Sequence, residues 1–167
     1  YEAVTGAEDL LQTGVTIGAA SVYTRATFNV ASAAAVQNLW LGADYDDGYV
    51  AWINGIEVYR STQMPAGDPA WNTEAASHES TNGAAPDYEP HRDITAAALG
   101  ALQSGENVLA IAAYNNVPLE PPSSDLVLVP RLAINRQTTI RYVANEADPG
   151  LGLSWVAEGF DDSGWDD

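Results

Sequence analysis

The chain has no cysteine and no lysine. Without cysteine there is no disulfide framework and no thiolate nucleophile, and a zinc site would have to be built without sulfur. A secreted protein of this size can hold its core without disulfides, so an extracellular address stays open. All six cations are arginines, set against 23 acids, for a net charge of −17. That balance repels nucleic acid and anionic membrane surfaces, so neither is an expected partner. No apolar run approaches the ~18 residues of a membrane-spanning helix, so no membrane insertion is expected. No Asn-x-Ser/Thr sequon occurs. The first residues, Tyr1-Glu2-Ala3-Val4, carry neither an initiator methionine nor a signal peptide. The expectation is a processed chain or a segment of something longer. Apolar residues make up 46% of the 167 positions, which argues against global disorder and for a full core.

Catalytic signatures are also missing. There is no G-x-S-x-G, no phosphate loop and no dinucleotide fingerprint. The two histidines, His78 and His91, lack metalloprotease spacing, and a structural hydrogen bond is the expected role of His91. With so many acids, no carboxylate pair stands out as a glycosidase couple. No enzymatic activity is expected.

What is present centres on Asp44–Arg60, DYDDGYVAWINGIEVYR. Asn54-Gly55 is the strongest short hairpin signal, because a type I′ turn needs positive φ at both central positions. Tyr49–Ile53 precedes it and Ile56–Arg60 follows, alternating apolar and polar. Asp46-Asp47-Gly48 reads as a second turn. Upstream, Val22–Val30 and Val36–Ala43 read as strands, the latter with Leu39 and Leu41 on one face and Trp40 on the other. Ser61–Pro90 is a long Pro/Gly-rich excursion, read as an ordered loop region with room for one short strand, either functional or an insertion that covers an edge. Asp93–Leu102 looks like a short helical turn capped by Asp93. Val108–Tyr114 and Leu126–Ile134 are further strands, and Pro130 argues that the second is an edge or is broken. Thr138–Val143 is one more strand. The fold class is therefore all-β: a sandwich of about eight short strands with one short helical turn.

Several motifs fall in a recognisable order: Arg25–Phe28, Asp46–Gly55, Asp93-Ile94-Thr95, Gly105–Ile111 and Ser123–Leu126. Together they resemble the galactose-binding-domain-like jelly roll. The sugar-binding domain of family 2 glycoside hydrolases is similar, and modules of large secreted bacterial proteins are closer still. The likeness spans roughly residues 20–134 and implies a jelly-roll fold. Binding, scaffolding and enzyme-appended roles all occur on that fold. Modules of this kind usually open with F-D-D-S-x-W. Here Phe160-Asp161-Asp162-Ser163-Gly164-Trp165 stands at the far end.

The chain thus reads as one period of a tandem array cut out of phase. Residues 1–134 form the sandwich body, and 135–167 are a linker and opening strand that belong to or complete a neighbouring copy. Thr139, Ile140, Tyr142, Trp155, Phe160 and Trp165 are the strand-donation residues of this reading. A strand passed head to tail propagates into a fibre, because such a contact does not close on itself. The alternative is that the segment folds back and completes its own sheet. Arg131, Arg136 and Arg141 precede seven acids: Glu146, Asp148, Glu158, Asp161, Asp162, Asp166 and Asp167. That asymmetry could orient neighbours.

Two other functions remain open. Trp40 and Trp52, if both outward on adjacent strands, would form an apolar stripe. The stripe could stack a sugar ring, meet a neighbouring subunit, or be covered by Trp71 and Tyr88 of the long loop. Asp44, Asp46 and Asp47 could ligate calcium, although turn capping is the favoured role of Asp46 and Asp47. The expected function is a structural unit of an extracellular or cell-surface filament, with copies of itself as partners. The alternative is a non-catalytic polysaccharide-binding module, and a third reading is a calcium-stabilised spacer.

Overall fold

The computed structural model describes residues 13–83, 85–116, 126–135 and 161. The chain divides into two compact units, Tyr1–Arg136 and Gln137–Asp167. The expected strand at 138–143 and the donation residues Thr139, Ile140, Tyr142, Trp155, Phe160 and Trp165 lie outside the described residues.

The body is a two-sheet antiparallel β-sandwich. Its strands are β1 (Ser21–Val30), β2 (Leu39–Asp46), β3 (Gly48–Ile53), β4 (Ile56–Arg60), β5 (Arg92–Asp93), β6 (Gly105–Tyr114) and β7 (Val127–Ile134). One sheet has the order β1-β6-β3-β4 and the other β5-β2-β7. A short helix, α1 (Thr95–Ala98), follows β5. The carboxylate of Asp93 accepts the Thr95 N–H at 2.9 Å, close to the expected cap. The Thr95 side chain first, and this N–H second, hold the Asp93 carboxyl below the usual carboxylate range.

The hairpin forms as its residues dictate. Asn54 and Gly55 take φ of 50° and 86°, which joins β3 to β4 through two residues. The Asn54 side chain then links this turn to the G-E-N motif. Its Nδ2 donates to Asn107 Oδ1 at 2.8 Å, and its Oδ1 accepts the Val108 N–H at 2.9 Å. Asn107 is fully buried and donates to the Gln103 and Gly105 carbonyls. The two motifs are therefore one hydrogen-bonded corner of the fold.

Alternation places Leu39, Leu41 and Ala43 of β2 against Ala51, Ile53, Leu109 and Ile111 of the other sheet. These form the core. A bulge at Ala51/Trp52 leaves Val58 extra on β4, and Val58 is buried in the same core. Pro130 lies on β7, which is an edge strand among the described residues. The Asn135 N–H donates to the Asn38 carbonyl, so with the Leu39↔Ile134 register the odd residues of β7 bond β2. Pro130 is even, so its missing N–H falls on the outer side of the edge.

One expectation is corrected here. Asp46-Asp47-Gly48 does lead into the hairpin, but by carrying the chain from one sheet to the other. Asp46 ends β2 in one sheet and Gly48 begins β3 in the other, so Asp47 is where the chain changes sheets. Trp40 and Trp52 consequently lie on opposite outer faces of the sandwich, and the single stripe expected of them does not form.

Among the described residues the 61–91 segment forms no regular strand, not even the short one allowed for it, and it packs on both outer faces. Met64 and Ala75 bury Val50, Ala112 and Tyr114 in a second cluster. A Cβ at Gly48 would lie 2.8 Å from the Ala75 Cβ. At Gly42 it would lie 2.6 Å from the Tyr88 carbonyl oxygen, so the loop rests directly on β2.

Candidate functional site

The candidate site is a cleft of 340 Å³ between the β4 and β5 edges, roofed by the long loop. Its size is at the lower end of small-molecule pockets. Tyr45 comes from β2, Tyr49 from β3, Tyr59 from β4 and Arg92 from β5. The loop contributes Gln63, His78, Glu79, Thr81, Asp87 and Glu89.

Buried acids hold that roof down. Asp44 is 3% exposed, and its carboxylate accepts the Thr81 N–H at 2.9 Å, the Thr81 hydroxyl at 2.6 Å and the Asp87 N–H at 3.2 Å. Asp47 accepts the His78 N–H at 2.9 Å and the Asn116 N–H at 2.6 Å. A buried carboxylate is tolerable only when its lone pairs are met in this way. Asp44 and Asp47 are therefore loop clamps. Among the described residues no group of three or more Asp, Glu or His is set to hold a metal ion, so Asp44, Asp46 and Asp47 do not gather around one point.

The aromatic wall is ordered by stacking. The His78 ring lies on Tyr45 with centroids 4.2 Å apart and planes 3° apart. Its Nδ1 is 3.0 Å from the Tyr45 carbonyl. Tyr49 meets Tyr45 edge-on at 4.7 Å and Tyr59 tilted at 5.3 Å. The Tyr45 hydroxyl donates to Gln63 Oε1 at 3.1 Å. The Arg92 guanidinium sits 5.9 Å from the Tyr59 ring centre. Burial, and secondarily the neighbouring Tyr59, raises the Tyr45 phenol above its ordinary range. The same causes raise Tyr49 further. Both phenols stay protonated at any ordinary pH. The cleft thus offers neutral hydroxyls, an amide, an imidazole, a guanidinium and carboxylates beside aromatic rings. Such a surface suits a polyhydroxylated ligand.

The aromatic residues singled out in the sequence are spread over the body. Trp40 is half-buried and donates its indole N–H to Asn38 Oδ1 at 3.2 Å. Trp52 is half-buried against the second cluster. Trp71 is 67% exposed, and its carbonyl accepts the Ser21 hydroxyl at 2.6 Å. Tyr88 lies over Gly42, with the Arg131 guanidinium 5.6 Å from its ring. The loop does cover the outer faces, but through Met64, Ala75 and Tyr88 rather than Trp71. His91 is held structurally, with Nδ1 2.7 Å from Glu89 Oε1.

Sequence reasoning missed Tyr45, Tyr49, Tyr59, Gln63, His78 and Arg92. Three of the tyrosines were visible inside the central stretch. Only the sheet change at Asp47 makes them converge.

No family model matches the chain, and no curated protein matches it. Among solved structures, it is similar to a Streptomyces avermitilis alpha-L-rhamnosidase crystallised with L-rhamnose, at 22% identity and a TM-score of 0.45. The match covers 88% of this chain and 12% of the rhamnosidase chain. A superposition this loose assigns neither ligand nor activity to this chain.

Proposed function

We propose that this chain is a non-catalytic, extracellular carbohydrate-binding β-sandwich that takes a neutral sugar in the cleft between β4 and β5. The observation that carries this reading is the cleft itself, where tyrosine rings stand beside Gln63, His78 and Arg92. Aromatic faces pack on the apolar face of a pyranose, and the polar groups meet its hydroxyls. The carboxylates of Glu79, Asp87 and Glu89 at the same cleft disfavour uronates and sulfated sugars.

Isothermal titration against a panel of neutral and acidic polysaccharides tests this. Binding should be confined to neutral glycans. Arg92→Ala and Gln63→Ala should each weaken it about fivefold to tenfold, the worth of one or two hydrogen bonds. Trp71→Ala should leave it unchanged. A glycan that still binds fully to Arg92→Ala and Gln63→Ala but not to Trp71→Ala would move the site away from the cleft.

A second reading is favoured by a different feature. On the opposite side of the sandwich, residues 23–27 of β1 are exposed on both faces. A sheet edge that no strand pairs with among the described residues suits a subunit of a head-to-tail filament joined by donated strands. Sedimentation of the intact chain over a concentration series tests it, with a growing ladder of oligomers expected and a monomer throughout counting against it.

A further inference from the structure

The assembly reading leaves open which edge receives the strand and which segment supplies it. Two edges border the bare side, and the backbone distinguishes them. The Asn115 N–H donates to the Ala20 carbonyl at 3.0 Å, and β1 pairs β6 with Ser21 opposite Tyr114. In an antiparallel ladder, hydrogen-bonded pairs recur every second residue. Even residues of β1 therefore bond β6, while the N–H and C=O of Tyr23, Arg25 and Thr27 point away from the sheet. Among the described residues no strand pairs with that side. On β7 the outward side includes Pro130, which has no N–H to offer. Proline on an outward position is a standard way to blunt an edge. Thus β7 is blunted and β1 is not.

The space beside β1 is a cleft of 440 Å³ lined by Val15, Val22, Thr24 and residues 126–130 of the β7 side. Thr24 and Ala26 face inward by alternation with Phe28 of the core, yet both are exposed. The position where an opposing layer would shield them is empty among the described residues. Among the described residues this side thus lacks two things. It has outward backbone groups that want a strand, and an apolar hollow that wants side chains.

Resting on the assembly reading, we infer that the β1 edge is the acceptor and that residues 138–143 of a second copy are the strand it receives. The sequence TTIRYV alternates, so Ile140 and Tyr142 share one face and would enter the hollow. Charge agrees. Arg25 is exposed on the acceptor edge, and the donor segment leads into the seven acids of 144–167. The exit point agrees as well. Asn135 fastens the end of β7, accepting the Gln37 N–H at 2.7 Å and donating to the Ala35 carbonyl at 3.2 Å. The chain therefore leaves the body at the end where β1 finishes, and the unit boundary follows at Arg136. A donor at one place and an acceptor at another make a heterologous contact, which propagates.

The test uses full-length chains and sedimentation velocity. Thr27→Pro removes one outward N–H while sparing the β6 ladder, and Ile140→Asp places a charge in the hollow. Circular dichroism checks that each variant is folded, with Arg25→Pro as the replacement if Thr27→Pro is not. The wild type should form oligomers that lengthen with concentration, and each variant alone should be monomeric. Mixing the two variants should restore dimers and nothing larger, because one intact acceptor then meets one intact donor. Wild-type oligomers that persist in folded Thr27→Pro and Arg25→Pro would overturn the inference while leaving assembly standing, with the contact elsewhere. Oligomers that persist in Ile140→Asp would overturn the donor assignment. A wild type that stays monomeric at every concentration would overturn both, and closure by the chain's own segment would take their place.

Discussion

The two sides of this sandwich are finished in different ways. Between β4 and β5 the gap is roofed by a loop that buried aspartates hold in place, and the resulting cleft is polar and aromatic. Between β1 and β7 the described residues leave an apolar hollow and an exposed strand. A roof made of loop must satisfy its backbone N–H groups somewhere, and Asp44 and Asp47 do that from the sheet corner. The outward backbone groups of β1 have no such provision among the described residues. Buried charge closes one side and the described residues leave the other apolar, so the two sides differ in chemistry. The closed side suits small-molecule recognition. The bare side suits another polypeptide.

The comparison breaks most visibly if the roof is released. Asp44→Ala removes three hydrogen bonds to a carboxylate at a site 3% exposed, and strands the Thr81 and Asp87 donors. The expected loss is about 3 kcal/mol, since each bond to a buried charge is worth roughly 1.5–3 kcal/mol and the removed charge recovers its desolvation cost. For a domain of this size that lowers the melting temperature by about 6–12 °C. Glycan binding should disappear with the roof, whereas strand assembly at β1 should survive. A melting temperature within 1–2 °C of wild type, on the order of the effect of a surface change, would show that the clamp does not hold the loop.

These clamps also mark where sequence reading stops. The hairpin was legible because Asn54-Gly55 imposes a local backbone demand. The core was legible because Leu39, Leu41, Ala51, Ile53, Leu109 and Ile111 obey a period of two. Pro130 signalled an edge for the same local reason. The sheet change at Asp47 left no such mark, since alternation reads identically whether the next strand pairs beside the last one or across the core. That is why Trp40 and Trp52 were expected side by side and lie on opposite faces. The cleft was illegible for a further reason. Asp44 reaches Thr81 and Asp87, and Asp47 reaches His78, across more than 30 residues that take in β3, β4 and then irregular chain. No periodicity reports a contact of that kind.

A smaller effect should appear at high pH, and it sharpens the contrast in burial. Burial raises the phenols of Tyr45 and Tyr49, and pushes Tyr114 up to about 12, with the neighbouring Tyr23 as its second cause. In the unfolded chain each would ionise near 10.0. The folded state therefore holds protons that the unfolded state gives up. The stabilisation is complete below pH ~10 and declines as pH rises toward the folded values. Denaturant midpoints should be flat from pH 7 to about 9 and fall between about 10 and 12. Tyrosinate absorbance should show a late-titrating class that ionises only on unfolding. If all eight tyrosines titrate together near 10, the buried wall of the cleft is open to solvent.

The smallest effect expected is none, from a chelator. Calcium needs six to eight oxygens around one point. Asp44 and Asp47 direct theirs to loop N–H groups, and the described residues bring no third acidic group or histidine to join them. A bound cation would add stability according to its concentration over its dissociation constant, so removing it would lower the melting temperature. EDTA should therefore leave the melting temperature unchanged. A fall of several degrees, restored by calcium and absent in Asp44→Ala, would mean that the carboxylate clamps act by holding an ion rather than the loop backbone. The polar side of the sandwich would then owe its closure to a metal, and the difference between the two sides would depend on solution conditions as well as on sequence.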